Sequence, residues 1–320
     1  MSKMIKKNKL TLKGFWELVK TTGKGFSENN LTRLAGSLAY FTVFSMGPLL
    51  VVVISFCSFF FKREAIEGKV YGILQGFVGN DTALQLQEII RNAAVGDKGT
   101  VAAIIGVVTL VIGATTIFAE IQDSVNSIWG LKPKPKNGLL KMLVNRLLSF
   151  SLVVSLSFLL LVSLTVTGVI ESINDRLKQH FPDITVYVFY FINIALTLIT
   201  STFIFAVIFK VLPDATIKWK DVRAGAFVTA LLFMGGKFLI SFYISKTDIG
   251  STYGAAGSLV VILAWIYYSS LILYLGAVFT KAYAVCYGSS IHPNSYAVTT
   301  KTVEVETNEG TLQANEKNKE

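Results

Sequence analysis

Residues Asp248 to Ala284 read DIGSTYGAAGSLVVILAWIYYSSLILYLGAVFTKAYA, and from Gly257 to Thr280 not one carries a charge. About 20 apolar residues in a helix suffice to cross the hydrocarbon of a bilayer. A helix in a soluble core is usually shorter and keeps a polar face. This segment, spanning 257–281, belongs in lipid. Five other stretches read the same way, at about 34–61, 101–119, 147–170, 185–209 and 224–245. The expected fold is therefore all-α, a polytopic membrane domain over residues 34–284 with six transmembrane helices. A basic cytoplasmic or interfacial segment, 1–33, precedes it. A polar tail, 285–320, has little to bury and is expected to stay disordered.

Composition agrees with lipid as the solvent. Hydrophobic residues make up 52% of the chain and charged residues 16%, against roughly 25% charge in a soluble domain. The net charge of +10 needs no nucleic acid, because Lys and Arg gather in the cytoplasmic loops of membrane proteins. Counted by loop, Lys plus Arg number eight before the first span, five after the second, four after the fourth and four from Lys281 onward. The alternate side holds five, two and one. Both termini are thus expected in the cytoplasm, and the first span serves as the insertion signal.

Two cysteines, Cys57 and Cys286, and two histidines, His180 and His292, offer neither a disulfide framework nor a zinc spacing. No catalytic constellation, metal site or cofactor motif stands out, and the chain is not expected to be an enzyme. Metal-dependent RNA cleavage needs clustered ligands that two distant histidines cannot supply. Nucleic acid is not an expected partner. Membrane lipids are, and self-association is compatible with the sequence.

Along the chain, Leu12, Phe15, Trp16 and Val19 share one helical face while Lys13, Lys20 and Lys24 lie elsewhere. That pattern suits a helix at the membrane interface. In the first span Gly47 and Pro48 mark a hinge, where the helix bends or where 34–46 becomes a separate half-segment. Past the second span, Ile117, Ile121, Val125 and Ile128 continue one face, with Glu120, Asp123 and Ser127 on another. Gln122 and Asn126 form an i, i+4 pair, and Trp129-Gly130 stops the helix before the extended basic linker from Lys132 to Lys136.

Residues that could form a substrate path are few. Lys237 lies inside the fifth span, where an ionisable group costs about 2.5–3.5 kcal/mol on insertion scales and usually faces the bundle or water. It would offer a fixed positive charge to an anionic lipid or solute, or else snorkel to the near interface. The preceding Gly235 and Gly236 form a second hinge and leave room for a headgroup or another backbone. Asn193 lies on a stripe with Thr197 and Ser201 in the fourth span. Glu120 and Asp123 would grip the basic linker or Lys141 and Arg146, or else, with Gln122 and Asn126, line a cytoplasmic vestibule.

Several pieces together resemble the YihY/BrkB family of bacterial inner-membrane proteins, once labelled ribonuclease BN. They are Ala39-Tyr40, Ser45 and Pro48-Leu49; Gln122-Asp123, Asn126 and Trp129; Trp219, Gly225-Ala226, Lys237 and Tyr243; and Tyr253-Gly254, Trp265, Tyr267 and Leu275-Gly276-Ala277. One departure is Val278, where many relatives carry glutamate. The resemblance implies a multi-pass protein of the bacterial inner membrane with an envelope role, as a transporter or lipid-handling protein. The alternative is a non-transporting scaffold for envelope assembly, in which the polar stripes only join helices.

Overall fold

The computed structural model describes residues 11–57, 100–133, 182–246, 257–289, 291–294 and 296–300, together with isolated positions at 68, 71–72, 84, 87, 151 and 155. The third expected span (147–170) apart from 151 and 155, the loop with His180 and the tail beyond 300 lie outside these. The helices are α1 (Leu12–Glu28), α2 (Leu31–Cys57), α3 (Thr100–Trp129), α4 (Pro182–Val211), α5 (Trp219–Lys246) and α6 (Gly257–Cys286). Four short strands accompany them: β1 (Leu131–Pro133), β2 (Ala215–Thr216), β3 (His292–Pro293) and β4 (Ala297–Thr299).

The segment quoted at the outset is the hub. Helix α6 packs against α1, α2, α3 and α5, while α2 pairs with α3 and α4 with α5. The buried core runs through these contacts. It holds Leu31, Ala35 and Leu38 of α2, Phe205 and Phe209 of α4, Val222, Ala226 and Ala230 of α5, and Leu273, Tyr274 and Ala277 of α6. Among the described residues, three segments are long and apolar enough to cross a membrane: Phe191–Val211, Trp219–Ile240 and Leu259–Cys286.

Helices α5 and α6 approach closely through two matched pentapeptides, Gly225-Ala-Phe-Val-Thr229 and Gly276-Ala-Val-Phe-Thr280. A Cβ on Gly225 would collide with the Thr280 side chain, and one on Gly276 with Thr229. Each threonine is fully buried, and each returns its hydroxyl hydrogen to its own helix. The Thr229 hydroxyl donates to the Gly225 carbonyl and that of Thr280 to the Gly276 carbonyl, both at 2.7 Å. Small residues that let backbones approach are the usual device for joining helices in lipid.

At one end of the bundle, called basal here, the ends of α3, α4 and α6 meet α1 and the strands. Strand β1 pairs antiparallel with β4, and β2 with β3. Gly130 turns the chain out of α3 with φ +69°, and its carbonyl accepts from Thr300 N at 2.7 Å. The expectation of disorder from 285 therefore fails over the first part of the tail. Helix α6 continues to Cys286, and residues 292–293 and 297–299 are strands. The physical reason is that β1 and β2 offer backbone partners, so a polar segment is ordered by its N–H and C=O groups and by burial of Ala297.

Other boundaries also shift. Helix α2 runs unbroken through Gly47 and Pro48, so 34–46 is not a separate half-segment. Helix α5 begins at Trp219 rather than 224, with Asp221 in its first turn, and does not break at Gly235 and Gly236. Helix α1 keeps Leu12, Phe15, Trp16 and Val19 exposed, as the wheel predicts, but its opposite face is occupied. Gly14 lies under Tyr287 and Gly25 under Val278, while Leu18 packs with Phe279 and Ala282. It therefore runs alongside the last turns of α6.

Candidate functional site

The polar side chains of the described bundle fall at two levels. The basal level is built on the last three turns of α3. Ile117, Ile121, Val125 and Ile128 are all buried, which turns Gln122 and Asn126 toward the α4–α5 connection. There Asp214, only 2% exposed, receives both of them. Gln122 Nε2 donates to Asp214 Oδ1 and Asn126 Nδ2 to Asp214 Oδ2, each at 3.0 Å. The Asp214 N–H returns a hydrogen bond to Asn126 Oδ1 at 2.8 Å. A buried carboxylate is tolerable only with such donors around it.

The C-terminal segment closes this knot. Asn294 N donates to the Asp214 carbonyl at 2.9 Å, Asn294 Nδ2 to the Tyr296 hydroxyl at 3.1 Å, and Thr216 Oγ1 to Asn294 Oδ1 at 3.2 Å. Burial pushes the Tyr296 phenol above its ordinary value. The hydrogen bond from Asn294 opposes this, and the nearby Asp214 carboxylate adds to it. Asp221 does similar work at the start of α5, where its Oδ2 accepts from Ser289 N at 2.9 Å. Neither aspartate falls in a motif of the sequence. The available signal is that both are acids in a segment otherwise carrying Lys210, Lys218, Lys220 and Arg223.

The remaining basal candidates disperse. Glu120 Oε1 accepts from Ser37 Oγ at 2.6 Å, a short charge-assisted bond that ties α2 to α3. Asp123 is exposed on the other side of α3. Trp129 Nε1 donates to the Ala277 carbonyl at 3.2 Å, and Lys281 Nζ to the Ile128 carbonyl at 2.7 Å. A cation thus caps the orphan carbonyls at the end of α3. Val278 is buried against Gly25 of α1. Glu120, Asn126 and Asp123 therefore serve three different surroundings and do not line one vestibule among the described residues.

The second level contains Lys237 and Asn193. Asn193 lies 18 residues before the end of α4 at Val211, and Lys237 lies 18 residues after the start of α5 at Trp219. Both are then ~27 Å from the basal turn at 1.5 Å per residue. Tyr268, 18 residues before the end of α6 at Cys286, shares this depth. Lys237 is half-buried and continues the stripe Ala226, Ala230 and Phe233, which faces α4 through the Phe205–Phe233 ring contact at 5.7 Å. Asn193 is exposed and accepts from Thr197 Oγ1 at 3.4 Å. Gly236 leaves no room for a headgroup, because the Tyr268 hydroxyl and ring occupy the space of its missing Cβ. Gly235 faces open space. The pair is a contact surface within a continuous helix.

The candidates are thus split between two levels, with a layer of Phe205, Phe209, Val222, Ala226 and Ala230 below Lys237. Among the described residues no three His, Cys, Asp or Glu side chains gather into a metal-binding group.

Comparison with known proteins gives the frame for these residues. The family model described as "Virulence factor BrkB" matches residues 22–297. A UPF0761 membrane protein of Ralstonia nicotianae is 27% identical over 78% of this chain and 55% of its own. Relatives bearing the same description in Haemophilus influenzae (26% identical over 79% of this chain, 90% of theirs) and Idiomarina loihiensis (29%, 82% and 89%) are covered almost throughout. The chain spans little more than half the length of the Ralstonia relative. No solved structure matches. Relatives described as membrane proteins and three apolar helices of spanning length make this an integral membrane protein.

Proposed function

The chain belongs to the BrkB virulence factor family, and from that premise we propose that it carries or otherwise handles an anionic lipid or solute in the bacterial inner membrane. In this reading it has six spans, both termini are cytoplasmic, and the basal end faces the cytoplasm. The bias of Lys and Arg toward alternate loops supports that orientation. The reading asks for no covalent step and no cofactor.

The observation that carries it is the seat of Lys237. A lysine needed only for topology would stand in a loop. This one is half-buried on the α4-facing stripe of α5, level with Asn193 and ~27 Å from the basal turn. That is near the far end of the apolar segment Trp219–Ile240, so the ammonium is placed to meet an anionic headgroup or solute at the side opposite the basal end. The layer beneath it is apolar, which supports a substrate with an acyl portion over a freely hydrated ion.

The test is reconstitution of the full chain into liposomes with labelled anionic phospholipids and, separately, small organic anions. Lys237→Met should lower the rate roughly tenfold, while Lys237→Arg retains most of it. Equal rates for wild type and Lys237→Met would mean that the ammonium only snorkels, and the reading would fall. A scaffold role is favoured by a different observation, the strand pairs and the Asp214 knot, which fix the basal surface as a platform. Absence of transport together with a partner lost on removing residues 291–300 would favour that alternative.

A further inference from the structure

Helices α4 and α5 leave a groove of about 430 Å³ on their outer side, within the size range of small-molecule sites. Leu198, Ile199, Thr202, Phe203 and Ala206 line it from α4 and Phe227 from α5. Phe203 and Phe227 are half-exposed, so the groove opens sideways rather than into the bundle. Leu198 is 13 residues above the end of α4, so the groove reaches ~20 Å from the basal turn. At its basal mouth stand Trp219 and Arg223. Such a groove in a membrane-spanning hairpin meets acyl chains first.

Its mouth is positively charged. Lys218, Lys220 and Arg223 are all exposed, and none is ion-paired among the described residues. The two nearby acids do not offset them. Asp214 and Asp221 are each 2% exposed and spend their oxygens on Gln122, Asn126 and Ser289 N–H. Lys210 is also committed, to the Ile217 carbonyl and over the Trp219 ring. A half-exposed Trp beside exposed Lys and Arg is the side-chain pattern of the headgroup level.

We propose that this groove is a binding site for one anionic phospholipid of the leaflet at the basal end. An acyl chain lies between Leu198, Phe203 and Phe227, and the phosphate is held by Arg223 and Lys220. A symmetric contact with a second copy would bring these same cations together, which disfavours that occupant. Binding at this site is separable from transport, and it stands or falls independently of Lys237.

The experiment is native mass spectrometry of the full chain released from detergent carrying equal phosphatidylglycerol and phosphatidylcholine. Wild type should retain phosphatidylglycerol at least tenfold over phosphatidylcholine. The surface change Lys220→Gln with Arg223→Gln should remove that preference, and Thr202→Trp, which fills the groove wall, should lower retention of both lipids. Equal retention of the two lipids by wild type, or an unchanged preference in the Lys220/Arg223 variant, would overturn the proposal. So would cross-linking of Ile199→Cys to a second copy in a background with Cys57 and Cys286 replaced by serine.

Discussion

Exchanging the acid and the amide at positions 126 and 214 tests the basal knot while keeping its composition. In the wild type Asp214 accepts from Gln122 and Asn126 at 3.0 Å each, and its own N–H donates to Asn126 Oδ1 at 2.8 Å. Asn126→Asp alone sets two carboxylates against each other at that separation. Like charges so close cannot both ionise, so one carboxyl would take up a proton with a strongly raised pKa. At about 1.4 kcal/mol per unit, a rise of about two to three units costs about 3–4 kcal/mol at neutral pH.

Asp214→Asn alone should cost only about 1 kcal/mol. Turning both the new amide and the Gln122 amide restores every hydrogen bond without the charge. In the double variant the amide placed at position 214 donates to the carboxylate placed at position 126. That carboxylate still accepts the backbone N–H of residue 214, and Gln122 donates to the side-chain carbonyl of the new amide. The double variant should therefore recover most of the loss, with a coupling near about 3 kcal/mol in a double-mutant cycle. The assay is unfolding of the detergent-solubilised protein at pH 5 and pH 8. The raised carboxyl of Asn126→Asp makes its deficit grow with pH, because the unfolded chain gives up that proton first. A double variant no more stable than Asn126→Asp would refute the geometry.

Two further outcomes follow from the same contacts. Gly236→Ala should lower thermal stability by about 1–3 kcal/mol, the usual range for overpacking, because Tyr268 fills the space of the new methyl. Gly235→Ala, facing open space, should be neutral or gain up to about 1 kcal/mol of helix propensity, and melting both variants side by side checks the contrast. For Tyr296, the raised phenol means that the unfolded chain ionises first. Stability present below about pH 10 is then lost as pH rises through the folded value above it. A Tyr296→Phe variant should lack that alkaline loss in a pH series of unfolding curves.

What could be read from the chain follows the range of the interaction. The stripe of Ile117, Ile121, Val125 and Ile128 is local, so its period survives where the apolar run of the second span ends, and all four side chains are buried. Gln122 and Asn126 are visible as a pair for the same reason. Their partner is not, since Asp214 is 88 positions from Asn126 and its loop reads as merely basic. The strands are invisible for another reason. Two or three residues cannot display an alternation, and what orders them is backbone pairing that polar side chains at 292–299 conceal.

The closest helix contact stands between these cases. GAFVT at 225–229 and GAVFT at 276–280 are each only a small-residue pattern when taken alone, and such patterns occur on many spans. Taken together they specify a partner, because antiparallel α5 and α6 set each threonine into the other's glycine. The arrangement is reciprocal, so neither glycine can gain a methyl and neither threonine a larger side chain unless the opposite position yields. Both hydroxyls bond back to their own helices, so the lock depends on shape and not on polar groups across the interface. Asp221 closes the basal end of this seam, against Gly288 and bonded to Ser289 N, while Lys237 lies toward α4 on one stripe and Arg223 on the outer side. The helix that shape fixes to the hub is thus the one that carries both charged candidates at fixed depths.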